Sequence, residues 1–187
     1  EEELPEAIEQ ELRGIARLTW RFFERFVTVE ENHLPPDNFQ EDPSPVIAHR
    51  TSPTNIGLYL LSSVSARDFG WLGVGELTQR LSATMETLEG LERYEGHLLN
   101  WYDTQTLRPL LPRYVSTVDS GNLAGHLWTL RQSCLALRKG PLLSPRAFTG
   151  PRDALEASLS FLASPGPENL HDAGERERTF AAVHAVQ

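Results

Sequence analysis

Apolar positions recur every three or four residues over most of the chain, which predicts a protein built of helices. In the first stretch Ile8, Leu12, Ile15, Thr19, Phe22, Phe23 and Phe26 share a face. Pro5 suits the first helical position and acidic residues fill the opening turns, where the helix dipole favours them. This helix is expected to end near Val29. A second helix starts at a Ser52 cap with Pro53 in its first turn, and Gly70 stops it. Its face is Ile56, Tyr59, Leu60, Ser63 and Val64, and charge is nearly absent until Arg67 and Asp68, so it should be buried on most sides. A third helix is predicted from about Gly75 to Leu91, with Leu77, Leu81, Met85 (or Thr84), Leu88 and Leu91 inward and Glu76, Arg80, Glu86, Glu89 and Glu92 in solvent. A fourth, capped by Asp119 or Thr117, runs to about Lys139 and ends at Gly140. Its stripe is Leu123, Leu127, Leu130, Cys134 and Leu137, and Gly121, Ala124 and Gly125 keep its first turns small enough for close packing or close approach of a ligand. After a turn at Ser144-Pro145, a fifth helix runs from Pro151 to near Ser164 with Leu155, Leu159 and Leu162 on one side. Pro165-Gly166-Pro167 breaks it, and a sixth is expected over Glu168 to Gln187 on Leu170, Phe180, Val183 and Val186.

Two long irregular segments interrupt this pattern. Asn32 to Thr51 contains Pro35, Pro36, Pro43 and Pro45, residues poor in helix or central strand. A loop of about 20 residues inside a compact domain is often functional. His97 to Thr117 is the other; Trp101 to Thr104 and Tyr114 to Val118 favour extended chain, so a small hairpin between them is expected. Helices one and three carry more charge, while two and four carry less and follow the polar loops. Stacked helical hairpins with alternating outer and inner helices follow from that alternation.

Composition narrows the function. The chain has 187 residues, enough for one domain or part of a larger one. It begins with Glu rather than Met, so it is expected to be a processed or excised piece, with no signal peptide visible. No apolar run approaches the length of a membrane span. Its formal net charge of −9 argues against a general nucleic-acid binder, which needs a basic face. Cys134 is the single cysteine, so it forms neither an internal disulfide nor a zinc site, and a small core residue on a helix is the expected role. His33, His49, His97, His126, His171 and His184 are scattered without the spacing of a helical zinc site. Gly70, Gly73 and Gly75 lack the Lys-Ser/Thr of a phosphate loop, and no nucleophile elbow supports a Ser-His-Asp triad. Neither a metal nor an organic cofactor is implied.

The candidate chemistry collects where the two polar loops run into the less charged helices. His49, Arg50, Thr51, Ser52 and Asn55 gather at the first. Trp101, Tyr102 and Asp103, then Ser116, Thr117, Asp119, Ser120 and Asn122, gather at the second. Carbohydrate sites use this mixture: aromatic faces stack on the apolar faces of sugar rings, while carboxylates, amides and Arg bond the hydroxyls. Glu41, Asp42, Asp103 and Asp119 could include a glycosidase carboxylate pair. The local alternative stands beside each: Ser52 and Asp119 as helix caps, and the loop carboxylates as solvated turn residues.

These loops carry a resemblance. The runs LPPDNFQEDP (34–43), AHRTSPTNIGLYLL (48–61), ARDFGW (66–71), NWYDT (100–104) and YVSTVDSGNLAGH (114–126) resemble cyclic β-1,2-glucan synthases, over about Leu12 to Lys139. Those are very large bacterial membrane proteins that join a glycosyltransferase domain, a middle glycoamylase-like domain and a C-terminal phosphorylase-like domain. The resemblance implies that residues 1–187 are one domain, roughly the first half of the middle, transglycosylating domain. The implied fold is all-α, a partial (α/α)6 toroid of stacked helical hairpins with long polar loops at the N-termini of inner helices. A more distant resemblance to β-glucan-cleaving glycoamylase-like enzymes implies the same. The implied activity of the whole domain is to cut linear β-1,2-glucan and cyclise it by transglycosylation, with general acid and nucleophile further along, so that the fragment alone is expected to be inactive. The substrate-binding residues implied are His49, Arg50, Asn55, Trp101, Tyr102, Asp103 and Asp119. The partners implied are a β-1,2-glucan chain and the remainder of the parent polypeptide, without nucleic acid. Half a ring should also leave an apolar helix face open, which a second copy could cover as a homodimer. The place implied is the cytoplasmic side of a bacterial inner membrane. A non-catalytic carbohydrate-binding module, or a structural helical module within a multidomain glycosyltransferase, are the alternatives.

Overall fold

A computed structural model describes residues 4–141 and 149–163. Five helices dominate them: α1 Glu6–Phe26, α2 Pro53–Asp68, α3 Val74–Gly90, α4 Thr117–Leu137 and α5 Gly150–Ala163. Six two-residue strands lie in the connections: β1 Phe39–Gln40, β2 Val46–Ile47, β3 Arg50–Thr51, β4 Arg93–Tyr94, β5 His97–Leu98 and β6 Tyr102–Asp103. They form three antiparallel pairs, β1–β2, β3–β6 and β4–β5. The expected turn at Ser144-Pro145 and the sixth helix fall outside the described residues.

The second helix follows its sequence closely. The Ser52 hydroxyl accepts from Asn55 N, Pro53 fills the first turn, and Ile56, Tyr59, Leu60, Ser63 and Val64 are all buried. Gly70, at φ 84°, turns the chain out of it, a conformation that costs glycine nothing. In α3, Leu77, Thr84 and Leu88 are buried while Met85 is 36% exposed, so Thr84 is the inward member of the pair; its hydroxyl donates to His33 O. The stripe of α4 is also the one its spacing predicts. Leu130 is buried, and Leu123, Leu127, Cys134 and Leu137 pack against the main core of Leu34, Ile56, Leu60, Leu77, Leu88, Leu98 and Tyr102.

Helices α2 and α4 pack side by side and run parallel. Thr54 meets Asp119 at their N-terminal ends, Gly57 faces His126 one turn on, and Arg67 reaches Pro141 O at the far ends. Parallel packing across some fifty intervening residues is possible because α3 returns the chain to the starting end. A second core lies where Trp20 stacks on Tyr59 at 6.5 Å, with Phe23 beside both.

Four expectations are corrected. Helix α1 ends at Phe26, not Val29, and Asn32 and His33 take left-handed φ values of 50° and 58° just beyond it. Of its predicted stripe only Phe26 is buried, with Phe22 and Phe23 half-buried, whereas Ile8, Leu12 and Ile15 are 45–56% exposed; Trp20, outside that stripe, is enclosed. Leu155 and Leu159 of α5 are exposed too; α5 meets α1 instead through Asp153, whose carboxylate accepts from Arg13 and from Trp71 Nε1. The hairpin forms earlier than expected, β4–β5 about Glu95 and Gly96 at positive φ, and Thr117 and Val118 belong to α4. The extended Trp101–Asp103 segment pairs not with Tyr114–Val118 but with Arg108–Leu110 on one side and with the first loop on the other.

Candidate functional site

That last pairing builds the site. In β3–β6, Arg50 lies opposite Asp103 and Thr51 opposite Tyr102. Thr104 N donates to His49 O at 3.1 Å, extending the link. The two polar loops are thereby one surface, set over the adjoining N-termini of α2 and α4.

Strand alternation sorts the residues on this surface, since neighbours point to opposite faces. Tyr102 points inward and is fully buried. Its hydroxyl donates to Glu92 O at 2.6 Å and accepts from Leu99 N at 2.7 Å. The expectation that Tyr102 contacts substrate is corrected: it is a core residue. Trp101 and Asp103 lie on the other side. The Arg50 guanidinium sits 5.1 Å from the centre of the Trp101 ring and donates through Nε and a terminal nitrogen to Asp37 Oδ2 at 3.1 and 2.9 Å. The other oxygen of Asp37 accepts from Asn55 Nδ2 at 3.1 Å. Asp37 thus ties an Arg from β3 to an amide on the first turn of α2.

Asp103 and Asp119 have mixed roles. Asp103 Oδ1 accepts from Gln105 N, Thr106 N and the Thr106 hydroxyl, which makes it the hinge of a turn. Asp119 does not cap α4. Ser116 does, accepting from Asp119 N at 3.2 Å. The Ser-x-x-Asp spacing was the sequence signal for that cap. The Asp119 carboxylate instead accepts from the Thr54 hydroxyl at 2.6 Å, across to α2. Its second oxygen takes the Asn100 amide nitrogen at 3.0 Å when the Asn100 oxygen faces Trp101 Nε1 and the Tyr114 hydroxyl, each at 2.7 Å, and that orientation matches every donor with an acceptor. Asn100 and Asp37 therefore belong to this polar surface, each joined to partners on other elements. So does Glu31, which is buried and accepts from His49 Nδ1 at 2.8 Å and from the Thr104 hydroxyl. Glu41 and Asp42 are exposed in the turn between β1 and β2. Among the described residues no cluster of three His, Cys, Asp or Glu gathers as a metal site would, and no helix is long and apolar enough to cross a membrane.

Burial works against ionisation of Asp103, Asp119 and Asp153, yet hydrogen bonds outweigh it in each and hold the carboxyl below its usual range. Those bonds come from Thr106 and Gln105 for Asp103, from Ser116 and Thr54 for Asp119, and from Arg13 and Trp71 for Asp153. A carboxyl depressed in the folded state contributes stability that is present above its unfolded value of about 3.9 and is lost as pH falls through the folded value. The melting temperature should therefore drop below about pH 4, and Asp119→Asn should flatten that acid limb while lowering stability at neutral pH. A variant with the wild-type acid slope would show that Asp119 takes no part in it.

As chemistry, the surface offers a guanidinium, an aromatic ring, amides and held carboxylates at the paired N-terminal ends of two helices, whose dipoles favour negative charge and oxygen acceptors. These groups suit polyhydroxylated ligands and provide no obvious nucleophile.

Comparison with known proteins follows the same line. No family model matches the chain. It is 60% identical over 136 residues, 73% of its length, to the cyclic β-(1,2)-glucan synthase NdvB of Rhizobium meliloti (strain 1021), and spans only 5% of that protein. Two solved glucoamylase-like structures share the fold. One, from Bacteroides fragilis NCTC 9343, has a TM-score of 0.56 and 14% identity over 84% of this chain and 36% of the other. The second, from Bacteroides caccae ATCC 43185, has a TM-score of 0.58 and 16% identity over 84% of this chain and 39% of the other. The chain thus has a mostly helical, glucoamylase-like fold and is, over its matched 136 residues, a relative of the cyclic β-1,2-glucan synthases, corresponding to one short segment of a far longer polypeptide.

Proposed function

We propose that this chain is the first part of the transglycosylating domain of a cyclic β-1,2-glucan synthase, and that it contributes carbohydrate-binding surface to that domain. In the whole protein the domain cuts linear β-1,2-glucan, holds one part as a glycosyl-enzyme and closes the ring by transfer to the chain's own non-reducing end. The general acid and nucleophile come from later residues. On this reading α2 and α4 are inner helices of an (α/α)6 toroid, and the domain belongs to an inner-membrane protein on its cytoplasmic side.

The 60% match to a glucan synthase carries the proposal, and the joining of the two loops by β3–β6 supports a sugar site on their shared surface. Arg50, Asn55, Trp101, His49, Asp103 and Asp119 are its contacts. The test is calorimetric titration with linear β-1,2-gluco-oligosaccharides, with a β-1,3 series as control. Selective binding of the β-1,2 series is expected. Asp119→Ala should weaken it about tenfold or more, the usual size of a lost hydrogen bond to a charged group. Absent binding, or equal binding of both series, overturns the assignment.

A further inference from the structure

We propose that Glu31 is a positioning residue: it holds the His49 imidazole with its hydrogen on Nδ1 and so keeps Nε2 as an open acceptor for a ligand hydroxyl. For the identity of the ligand this inference rests on the carbohydrate reading above; for the ring it rests on geometry alone.

Glu31 lies five residues beyond α1, and its side chain is 7% exposed. Burying a carboxylate is costly unless donors surround it. Three do: His49 Nδ1 at 2.8 Å, the Thr104 hydroxyl, and Gln105 Nε2 at 3.4 Å. A carboxylate only accepts, so His49 must present N–H at Nδ1. A neutral imidazole carries one such hydrogen, which leaves Nε2 with a lone pair. The His49 side chain is 40% exposed, and Nε2 has no hydrogen-bond partner among the described residues.

The dyad is held from both sides. Thr104 N donates to His49 O at 3.1 Å while the Thr104 side chain bonds Glu31. Asn32, next to Glu31, donates through its side-chain amide to Thr104 O at 2.8 Å and to Gln105 O at 3.0 Å. The end of the α1 turn, the first loop and the second loop therefore converge on one imidazole. A glutamine at 31 has a single acceptor oxygen: set toward Thr104, it turns its amide nitrogen to His49 and Gln105, and set toward His49 and Gln105, its nitrogen donates to the Thr104 hydroxyl. Only the carboxylate demands a hydrogen on the ring's Nδ1 in either orientation.

A sugar hydroxyl is both donor and acceptor, so it can give its hydrogen to His49 Nε2.

Nitrogen NMR of histidine-labelled chain tests this, with His49→Gln assigning the His49 signals. The neutral wild-type ring should show its hydrogen on Nδ1 alone. Glu31→Gln should give a mixture of tautomers without loss of the cooperative melt. In titrations with linear β-1,2-gluco-oligosaccharide, Glu31→Gln and His49→Gln should each weaken binding about tenfold, and the double variant no further. A neutral wild-type ring with its hydrogen on Nε2 overturns the proposal even if Glu31→Gln does not fold. So does unchanged glucan affinity in Glu31→Gln. If the wild-type chain binds no glucan, the carbohydrate reading and the ligand part of this inference fall, while the ring signals still decide the role of Glu31.

Discussion

Tyr102→Ala should destabilise the chain by about 3–5 kcal/mol, the usual cost of truncating a buried aromatic side chain. Urea unfolding measures it. Domains of this kind are held by about 5–15 kcal/mol in all, so the variant should sit at the margin of folding. Tyr102 is fully buried among Leu34, Leu98 and Leu88, and its ring joins the second loop to the core beneath α2 and α3. Tyr102→Phe separates ring from hydroxyl. It leaves Leu99 N and Glu92 O without their partner and should cost about 1–3 kcal/mol. Sugar binding by the folded Tyr102→Phe protein should match wild type, since the hydroxyl faces inward. A Tyr102→Phe variant of full stability but weakened binding would return Tyr102 to the ligand.

The second large effect is expected at Gly57. Two terms oppose each other when it becomes Ala. Helix propensity favours Ala by up to about 1 kcal/mol in a helix interior. Against it, a Cβ built on Gly57 would lie 2.1 Å from His126 Nδ1, 2.8 Å from Cγ and 3.0 Å from Cβ. The clash reaches the root of the His126 side chain, not only its tip, so the ring cannot simply swing aside and α2 must move from α4. Overpacking of this kind costs about 1–3 kcal/mol or more, and packing wins. Gly57→Ala should therefore lower stability, with His126→Ala in the same chain recovering most of the loss. The recovery is expected because His126 Nδ1 is buried without a hydrogen-bond partner among the described residues, so its removal breaks no bond there. Independent, additive effects of the two changes would mean that the helices do not touch at this point.

Local pattern carried much of this fold into view. The Ser52-Pro53 start and the Ile56 to Val64 face of α2 need only a cap and a period, both written within a dozen residues. The stripe on α4 is legible for the same reason. Where two residues on the same turn competed, as with Thr84 and Met85, the period alone could not choose, and a backbone acceptor at His33 decided. The N-terminal half of α1 shows the converse: Ile8, Leu12 and Ile15 have the right spacing, yet spacing does not supply a partner. The site was legible as two loops and illegible as a surface. Trp101 and Tyr102 are adjacent aromatics, and which one points outward depends on the register of β6 against β3, set by a segment some fifty residues earlier. Glu31 was unreadable because each of its donors comes from elsewhere, His49 from the first loop and Thr104 and Gln105 from the second.

The small β3–β6 pair has a consequence for how the molecule assembles. Its two strands are joined only after about fifty residues, two helices and a hairpin have been threaded between them. Closing so long a loop costs on the order of 3–4 kcal/mol of chain entropy, far more than four paired residues return. The pair therefore cannot nucleate; it can form only once α2 and α4 have already brought its ends together. Chains dominated by such distant pairings fold slowly, and during synthesis the first loop emerges long before its counterpart exists. The surface that β3–β6 joins is thus a late product of folding, present in full when the helices have docked and absent when they have not.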